Sequence, residues 1–258
     1  MGWGSAATEP MALRRFRADL HLHSCLSPCG ELDNYPSRIV ARALATGLDI
    51  IAVTDHNTGE NAAATIAAAR GTPLTVLPGM EIASAEEVHI LGLFESIEDL
   101  LPVQDVVFRE LPEVPAGASF VAEQVVVDAE DGVSGFSPRF LMAATQLDVR
   151  GVVELIHRRR GLAIAAHIDR PSFSLISQLG FVPPGLALDA LEVSPLTTFA
   201  EARAGLASDE ALPLVRFSDA HRPEEIGRAS TEFLMAAPRL AEIRKALRGS
   251  GGRRVCGP

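Results

Sequence analysis

The stretch ADLHLHSCLSPCG, residues 18–30, carries Asp19, His21, His23, Cys25 and Cys29, all side chains that can bind a metal ion or move a proton. His21 and His23 are two residues apart. On a strand, that spacing puts both imidazoles on one face, close enough to share an ion. Similar residues close later apolar runs: Asp55 and His56 after LDIIAVT, Glu81 in LPGMEI, His167 after LAIAA, and Asp219 with His221 in LVRFSDAH, while His89 sits in EEVHILGLF. In parallel α/β folds, ligands and catalysis gather at the carboxyl ends of the strands. Several imidazoles at one mouth would repel each other if protonated. Metal ions resolve this, because they bind neutral imidazole and ionised carboxylate. A mixed set of this kind suits Zn, Mn or Fe over Ca or Mg.

Each residue also has a plain structural reading. Asp55 could cap a helix, Glu81 could be a solvated turn residue after Pro78-Gly79, His89 a core histidine, and Asp219 the cap of the next turn. It is their concurrence at strand ends that argues for a site. The remaining histidine, His157, falls in a helical stretch before an arginine run and reads as a surface residue.

The elements that must position these residues follow from periodicity. RADLHLH, LDIIAVTDH, TPLTVLPGMEI, EEVHILGLF, LAIAAH, ALDALEVSP and LPLVRFSDAH read as strands, with TEFLMA as a possible last one. PSRIVARALATG, GENAAATIAAARG, DVRGVVELIHRRRG and PRLAEIRKALRG have helical spacing. The βαβαβ rhythm implies a parallel sheet or barrel. Residues 95–149 break it with many Pro and Gly residues and read as a β-rich insertion, a small lid or an oligomer contact, with a hairpin at Asp131-Gly132. Residues 1–13 read as a flexible leader, 14–248 as one barrel domain and 249–258 as a disordered tail.

Composition narrows the partners. The 258-residue chain has a formal net charge of −10. That excludes a general binder of long nucleic acid but not of a nucleotide or an oligonucleotide end. No apolar run approaches the roughly 20 residues that span a bilayer. Three cysteines, two of them four residues apart, make no secreted disulfide framework, so the cytoplasm is the expected compartment.

DLHLHS, TDHN, PGME, VHILG, AAH and SDAH, in this order over residues 18–221, resemble the motifs of the PHP (polymerase and histidinol phosphatase) superfamily. The resemblance implies an α/β fold, a distorted (β/α)7 barrel, with a trinuclear centre and phosphoesterase activity. Carried over by position, His21, His23 and Asp219 would bind a first metal. Glu81 would bridge it to a second, completed by His89 and His167. His56 and His221 would bind a third. The third metal's remaining ligand is usually an Asp or His, and Cys29 stands in that place here. A thiolate suits Zn or Fe. Two alternatives stay open: Cys29 packs and the centre holds two metals, or Cys25 and Cys29 form a separate zinc clip.

The implied cofactors are therefore two or three divalent transition metals, Mn, Fe or Zn. Such metals lower the pKa of a bound water to about 7, giving a hydroxide that attacks a phosphate ester at neutral pH. His221 or Asp55 could protonate the leaving group. Arg170, Arg222 and Tyr35 are candidates for holding the substrate, with ion pairing or packing as the alternative for each. The substrate is expected to be a small or nucleotide-like phosphate ester. A non-catalytic metal-binding regulatory domain and a metal-assisted hydrolase of a non-phosphate ester or amide are the competing readings.

Overall fold

Strand β2 (Ile50–Val53) is buried along its whole length, as a strand covered on both faces must be. It pairs in parallel with β1 (Arg14–Leu22) and with β3 (Thr75–Ala83). Helices α1 (Pro36–Ala45) and α2 (Ala62–Ala68) make the crossovers. The computed structural model describes residues 12–113, 124–206 and 212–256. The expected leader lies almost wholly outside the described residues.

The main sheet runs on through β4 (His89–Leu93), β7 (Leu162–Ala165), β8 (Ala190–Glu192) and β9 (Leu214–Val215). Beyond β9, Ala220 bridges to Leu22 at the end of β1, and the His23 N–H donates to the Ala220 carbonyl at 2.9 Å. The seven strands thus curl into a nearly closed barrel. Each contributes to one interior cluster, for example Leu20, Ala52, Leu77, Leu91, Ile164, Ala190 and Val215.

Three features differ from the sequence expectation. First, the barrel is not all parallel: β4 runs antiparallel to both β3 and β7. The short loop after Ala83 makes a hairpin, which needs no crossover helix. Because β4 is reversed, its first residue, His89, lies at the same mouth as the last residues of its neighbours. Second, residues 95–149 are only partly an insertion. Helix α3 (Ile97–Glu110) belongs to the barrel wall, with Leu100, Val103 and Val107 packed into the cluster that holds Met80, Ile82 and Ile90. Pro102 lies inside this helix and masks it in the sequence, but burial of one apolar face outweighs the lost hydrogen bond. The hairpin at Asp131-Gly132 does form, from β5 (Val125–Val127) and β6 (Val133–Phe136).

Third, the chain end is ordered through Cys256. Strand β10 (Thr231–Met235) pairs antiparallel with β1, and β11 (Arg254–Cys256) pairs with β10. Between them lies α7 (Leu240–Leu247), whose buried Glu242 fixes the tail. Its carboxylate accepts from Arg253 Nε at 2.6 Å, Lys245 Nζ at 2.8 Å and the Ala236 N–H at 2.9 Å. The hydrogen bond from Arg253 is the main reason its pKa falls to about 2. A carboxyl depressed in the folded state stabilises above its unfolded pKa, and that stability is lost as pH falls toward the folded value. Glu242→Gln is therefore expected to lower unfolding free energy by about 2 kcal/mol at pH 7. The gap to the wild type should close between about pH 4.5 and pH 2. Denaturant melts across that range measure it, and a gap independent of pH would count against the assignment.

The remaining helices are α4 (Val149–Arg158), α5 (Leu175–Leu179) and α6 (Phe199–Ala204). Among the described residues, no helix is long and apolar enough to cross a membrane.

Candidate metal centre

The barrel mouth is built by a break in strand alternation. Pairing of β1 with β2 shifts register between Asp19 and Leu22. Such a bulge turns two successive side chains to one side. Leu20 accordingly packs in the barrel interior while His21 and His23 stand over it, both fully buried. Their Nε2 atoms are 3.2 Å apart. His167 and Asp219 reach the same space from strand ends with φ of +28° and +49°, a left-handed backbone that non-glycine residues rarely adopt. Strain of this kind collects at functional sites.

Glu81 is the hub. Its carboxylate lies 2.9 Å from His56 Nδ1, 2.9 Å from His89 Nδ1, 3.2 Å from His167 Nε2, 3.3 Å from His21 Nε2 and 3.5 Å from His23 Nε2. Asp219 Oδ1 lies 3.1 Å from His23 Nε2 and 3.2 Å from His21 Nε2. His23, Cys29, His56 and His221 offer four donor atoms within 4.8 Å of one another. The His23 and His221 rings stack with centroids 4.3 Å apart. His221 Nδ1 donates to the Asp219 carbonyl at 2.9 Å, which leaves Nε2 to face Cys29.

Hydrogen bonds fix which ring nitrogens carry lone pairs. His21 Nδ1–H donates to Glu192 Oε2 at 2.9 Å, so Nε2 faces the site as an acceptor. Ser27 gives its hydroxyl proton to Asp55 at 2.7 Å. It can only accept from His23 Nδ1, at 3.0 Å, which again leaves Nε2 bare. Two imidazole lone pairs and two carboxylates therefore converge. Without a metal cation, protons must hold them together. Burial favours neutral Glu81, yet His89, His21 and His56 keep its carboxyl well below the usual range. Burial likewise opposes protonation of His56, yet Glu81 and Cys29 raise it to about 10. Burial also opposes the Cys29 thiolate, but hydrogen bonds from His221 and His56 bring that thiol down to about 7. The donor set fits divalent metal ions, with anions already in place and the Nε2 atoms of His21 and His23 aimed inward.

The cleft above this cluster has a volume of about 160 Å³ and is lined by Cys29, His56, Glu81, His89, His167, Asp219 and His221 together with Arg170, Asn57, Ala83, Leu141, Met142, Ser172 and Phe173. Every residue proposed as a metal ligand thus lies in or directly beneath it.

The other candidates divide. Arg170 lines the cleft, with Nη2 2.5 Å from Asp219 Oδ2. Asp55 does not face it: its carboxylate accepts from the Ser24 N–H, the Ser24 hydroxyl and the Ser27 hydroxyl, each at 2.7 Å. It holds the His21–Ser27 segment in place and is not set to donate to a leaving group. Arg222 points outward, pairing with Glu31 at 2.9 Å. Tyr35 packs on Cys25, Val125 and Val127 beneath the hairpin. Cys25 is buried there, and burial pushes its thiol up to about 12. It shares no metal-binding cluster with Cys29, which removes the zinc clip among the described residues. His157 lies outside the site, 2.9 Å from Asp189.

Glu192, the partner of His21 Nδ1, escapes the sequence reading. Its clue was visible: it is a carboxylate ending a buried strand, LEVS, at the level of His167 and Asp219. Asn57 was also missed. It donates to the carbonyls of Leu141 at 2.8 Å and Ala143 at 2.9 Å, fixing the inserted segment over the cleft.

Residues 19–179 match the PHP domain and residues 206–250 match the PHP-associated family. The chain belongs to the PHP domain family. The PHP family is one of metal-dependent hydrolases of phosphate esters, and His21, His23, Cys29, His56, Glu81, His89 and His167 lie within the residues matched. Asp219 and His221 fall beyond the PHP domain match, within the associated segment.

Among solved structures, the lesion-specific endonuclease PfuEndoQ from Pyrococcus furiosus aligns with a TM-score of 0.70 at 19% identity, covering 94% of this chain and 58% of that one. PsfC from Pseudomonas syringae aligns with a TM-score of 0.57 at 17% identity, covering 95% and 92%. A two-domain protein from Bacteroides vulgatus, containing a predicted PHP-like metal-dependent phosphoesterase, aligns with a TM-score of 0.54 at 18% identity, covering 95% and 67%. These likenesses establish the barrel fold. This chain spans 58% of the length of the endonuclease. No curated protein matches it.

Proposed function

We propose that this chain is a metal-dependent phosphoesterase that hydrolyses a nucleotide-like or other small phosphate ester at a two- or three-metal centre. The observation that carries this is the convergence of His21, His23, Glu81 and Asp219 with lone pairs and anions facing one another. His21, His23 and Asp219 would hold one ion, with Glu81 shared to a second held by His89 and His167. Cys29, His56 and His221 would hold a third. When bound, these ions supply Lewis acidity and lower the pKa of water to about 7.

The chain's own residues do the rest. Arg170 offers a planar guanidinium to the phosphoryl oxygens. In hydrolysis, a water oxygen bonds to phosphorus while the ester P–O bond breaks, and the departing oxygen takes up a proton. With Nδ1–H held by the Asp219 carbonyl and Nε2 committed to the third ion, His221 has no proton to spare, and Asp55 is taken up by Ser24 and Ser27, so solvent water would supply that proton. The intact donor set speaks against a purely regulatory domain. Arg170 in the cleft favours phosphate over a neutral ester or amide. Three free cysteines accord with a reducing compartment such as the cytoplasm.

A second reading, an oligonucleotide substrate, draws on the endonuclease-like fold, and one solved relative carries a duplex with an abasic lesion at its active site. The net charge of −10 weighs against long duplexes. Phosphate release from small monoesters and a 5′-phosphorylated oligonucleotide, alcohol release from small diesters, and strand scission of an abasic duplex, each with Mn²⁺ and with chelator, test both readings. Chelator-sensitive hydrolysis is expected from the small esters. Scission of duplex DNA alone would favour the second reading, and no hydrolysis of any ester would overturn the first.

Cys29 is expected to bind metal through sulfur. Loaded with Co²⁺, the protein should show a near-ultraviolet sulfur-to-cobalt charge-transfer band. Cys29→Ser should lose that band and one ion per chain. Identical spectra and stoichiometry would leave Cys29 as a packing residue.

A further inference from the structure

Two side chains at the cleft are unexplained by metal binding or packing. Phe173 is 44% exposed although the chain has few aromatics and buries Phe16, Phe94, Phe217 and Phe233 completely. It is held at φ +58°, a left-handed conformation that disfavours a bulky residue. Its carbonyl accepts from the His89 N–H at 3.0 Å, and its ring stacks on the His89 imidazole, with centroids 5.0 Å apart and planes 17° from parallel. One face of the ring is thus taken by a candidate metal ligand and the rest is open to the cleft. Met142 is also 44% exposed and lines the same cleft. Asn57 fixes the carbonyls on either side of it, so Met142 is presented there by its backbone.

A thioether on an anchored backbone and an aromatic ring held by its stack on His89, both exposed, make an apolar, polarisable rim over a polar floor. Aromatic rings stack on bases of any sequence, and a methionine sulfur packs well against ring edges. The floor would take a phosphate, and Phe173 lies one imidazole away from Glu81. A nucleotide has that layout, with a sugar between its phosphate and its planar base.

We infer that Phe173 and Met142 clamp the planar base of a nucleoside monophosphate, so that the alcohol released is a nucleoside. This rests on the phosphoesterase reading and adds the substrate class to it. An aliphatic phosphate ester would find the metals and Arg170 but nothing to fill the rim.

The test compares adenosine 5′-monophosphate with ribose 5-phosphate on the Mn²⁺-loaded protein, and measures binding of adenosine and ribose by calorimetry. The wild type should favour the nucleotide in kcat/KM by roughly tenfold to a hundredfold, the range of base stacking on one aromatic ring. Phe173→Leu, which still covers His89 but offers no stacking face, should collapse that ratio and weaken adenosine binding. Phe173→Trp should keep both, and Met142→Ala should reduce the ratio part-way. An unchanged ratio in Phe173→Leu would overturn the clamp, as would an equal loss on both esters with adenosine binding intact. If the wild type cleaves neither ester yet binds adenosine through Phe173, the clamp stands and the phosphoesterase reading falls.

Discussion

Replacing Glu81 with glutamine is expected to empty the centre of metal and to lower kcat/KM by more than about a hundredfold, the upper range for groups one contact further out. Among the described residues no other side chain reaches as many donors: its carboxylate lies within 3.5 Å of His21, His23, His56, His89 and His167. The amide removes the negative charge that two ions would share, and it presents an N–H₂ donor to nitrogens that need a cation. The metal-free protein should suffer too. Glu81 is buried and its imidazole neighbours hold it ionised. Breaking a buried pair on one side costs about 3 kcal/mol or more. Glu81→Asp separates the two effects, because it keeps the charge and shortens the reach. Metal analysis, circular dichroism and phosphate release on both variants make the measurement. A folded Glu81→Gln protein with full metal content and rate would remove Glu81 from the centre.

The second large effect is expected at Glu192, a residue with no direct place among the donors. It accepts from His21 Nδ1 at 2.9 Å and from the His167 N–H at 3.2 Å. One carboxylate thereby sets the tautomer of one imidazole and the backbone position of another. A histidine whose distal nitrogen is held by a carboxylate is a stronger, better-aimed ligand. Glu192→Leu should weaken metal binding 10- to 100-fold, read by competition with a chromophoric chelator. Glu192→Gln, which can still accept from His21 Nδ1–H, should lie between. Leucine and wild type binding alike would mean that the barrel alone orients His21.

These two residues mark how far the sequence could be read. Glu81 was legible because it closes an apolar strand in a series of such endings. That series sufficed for the barrel, the family and the residues that gather at its mouth, because strand period and strand-end chemistry are local properties. The reversal of β4 was not legible, since HILGL reads the same in either direction; only pairing with β3 and β7 orients it and brings His89 to the mouth. Helix α3 was hidden by Pro102, whose local penalty is outweighed by long-range burial of Leu100, Val103 and Val107.

Asp55 is read in the sequence as a candidate acid at the cleft and Glu192 goes unread, for a related reason. Both are carboxylates at strand ends, and nothing in their own segments says which faces the cleft. Asp55 is taken up by Ser24 and Ser27, close in the chain, whereas Glu192 meets His21 from the opposite side of the barrel. The clamp of Phe173 and Met142 joins two loops far apart in sequence, one fixed by Asn57 and one by His89. The sequence by itself determined which residues can do chemistry and that they share one end of a barrel. Which nitrogens of His21 and His23 face inward, which carboxylate lines the cleft and which holds a histidine from behind, and what lines the rim were decided by the tertiary structure, because each depends on a partner that only closure of the barrel brings within reach.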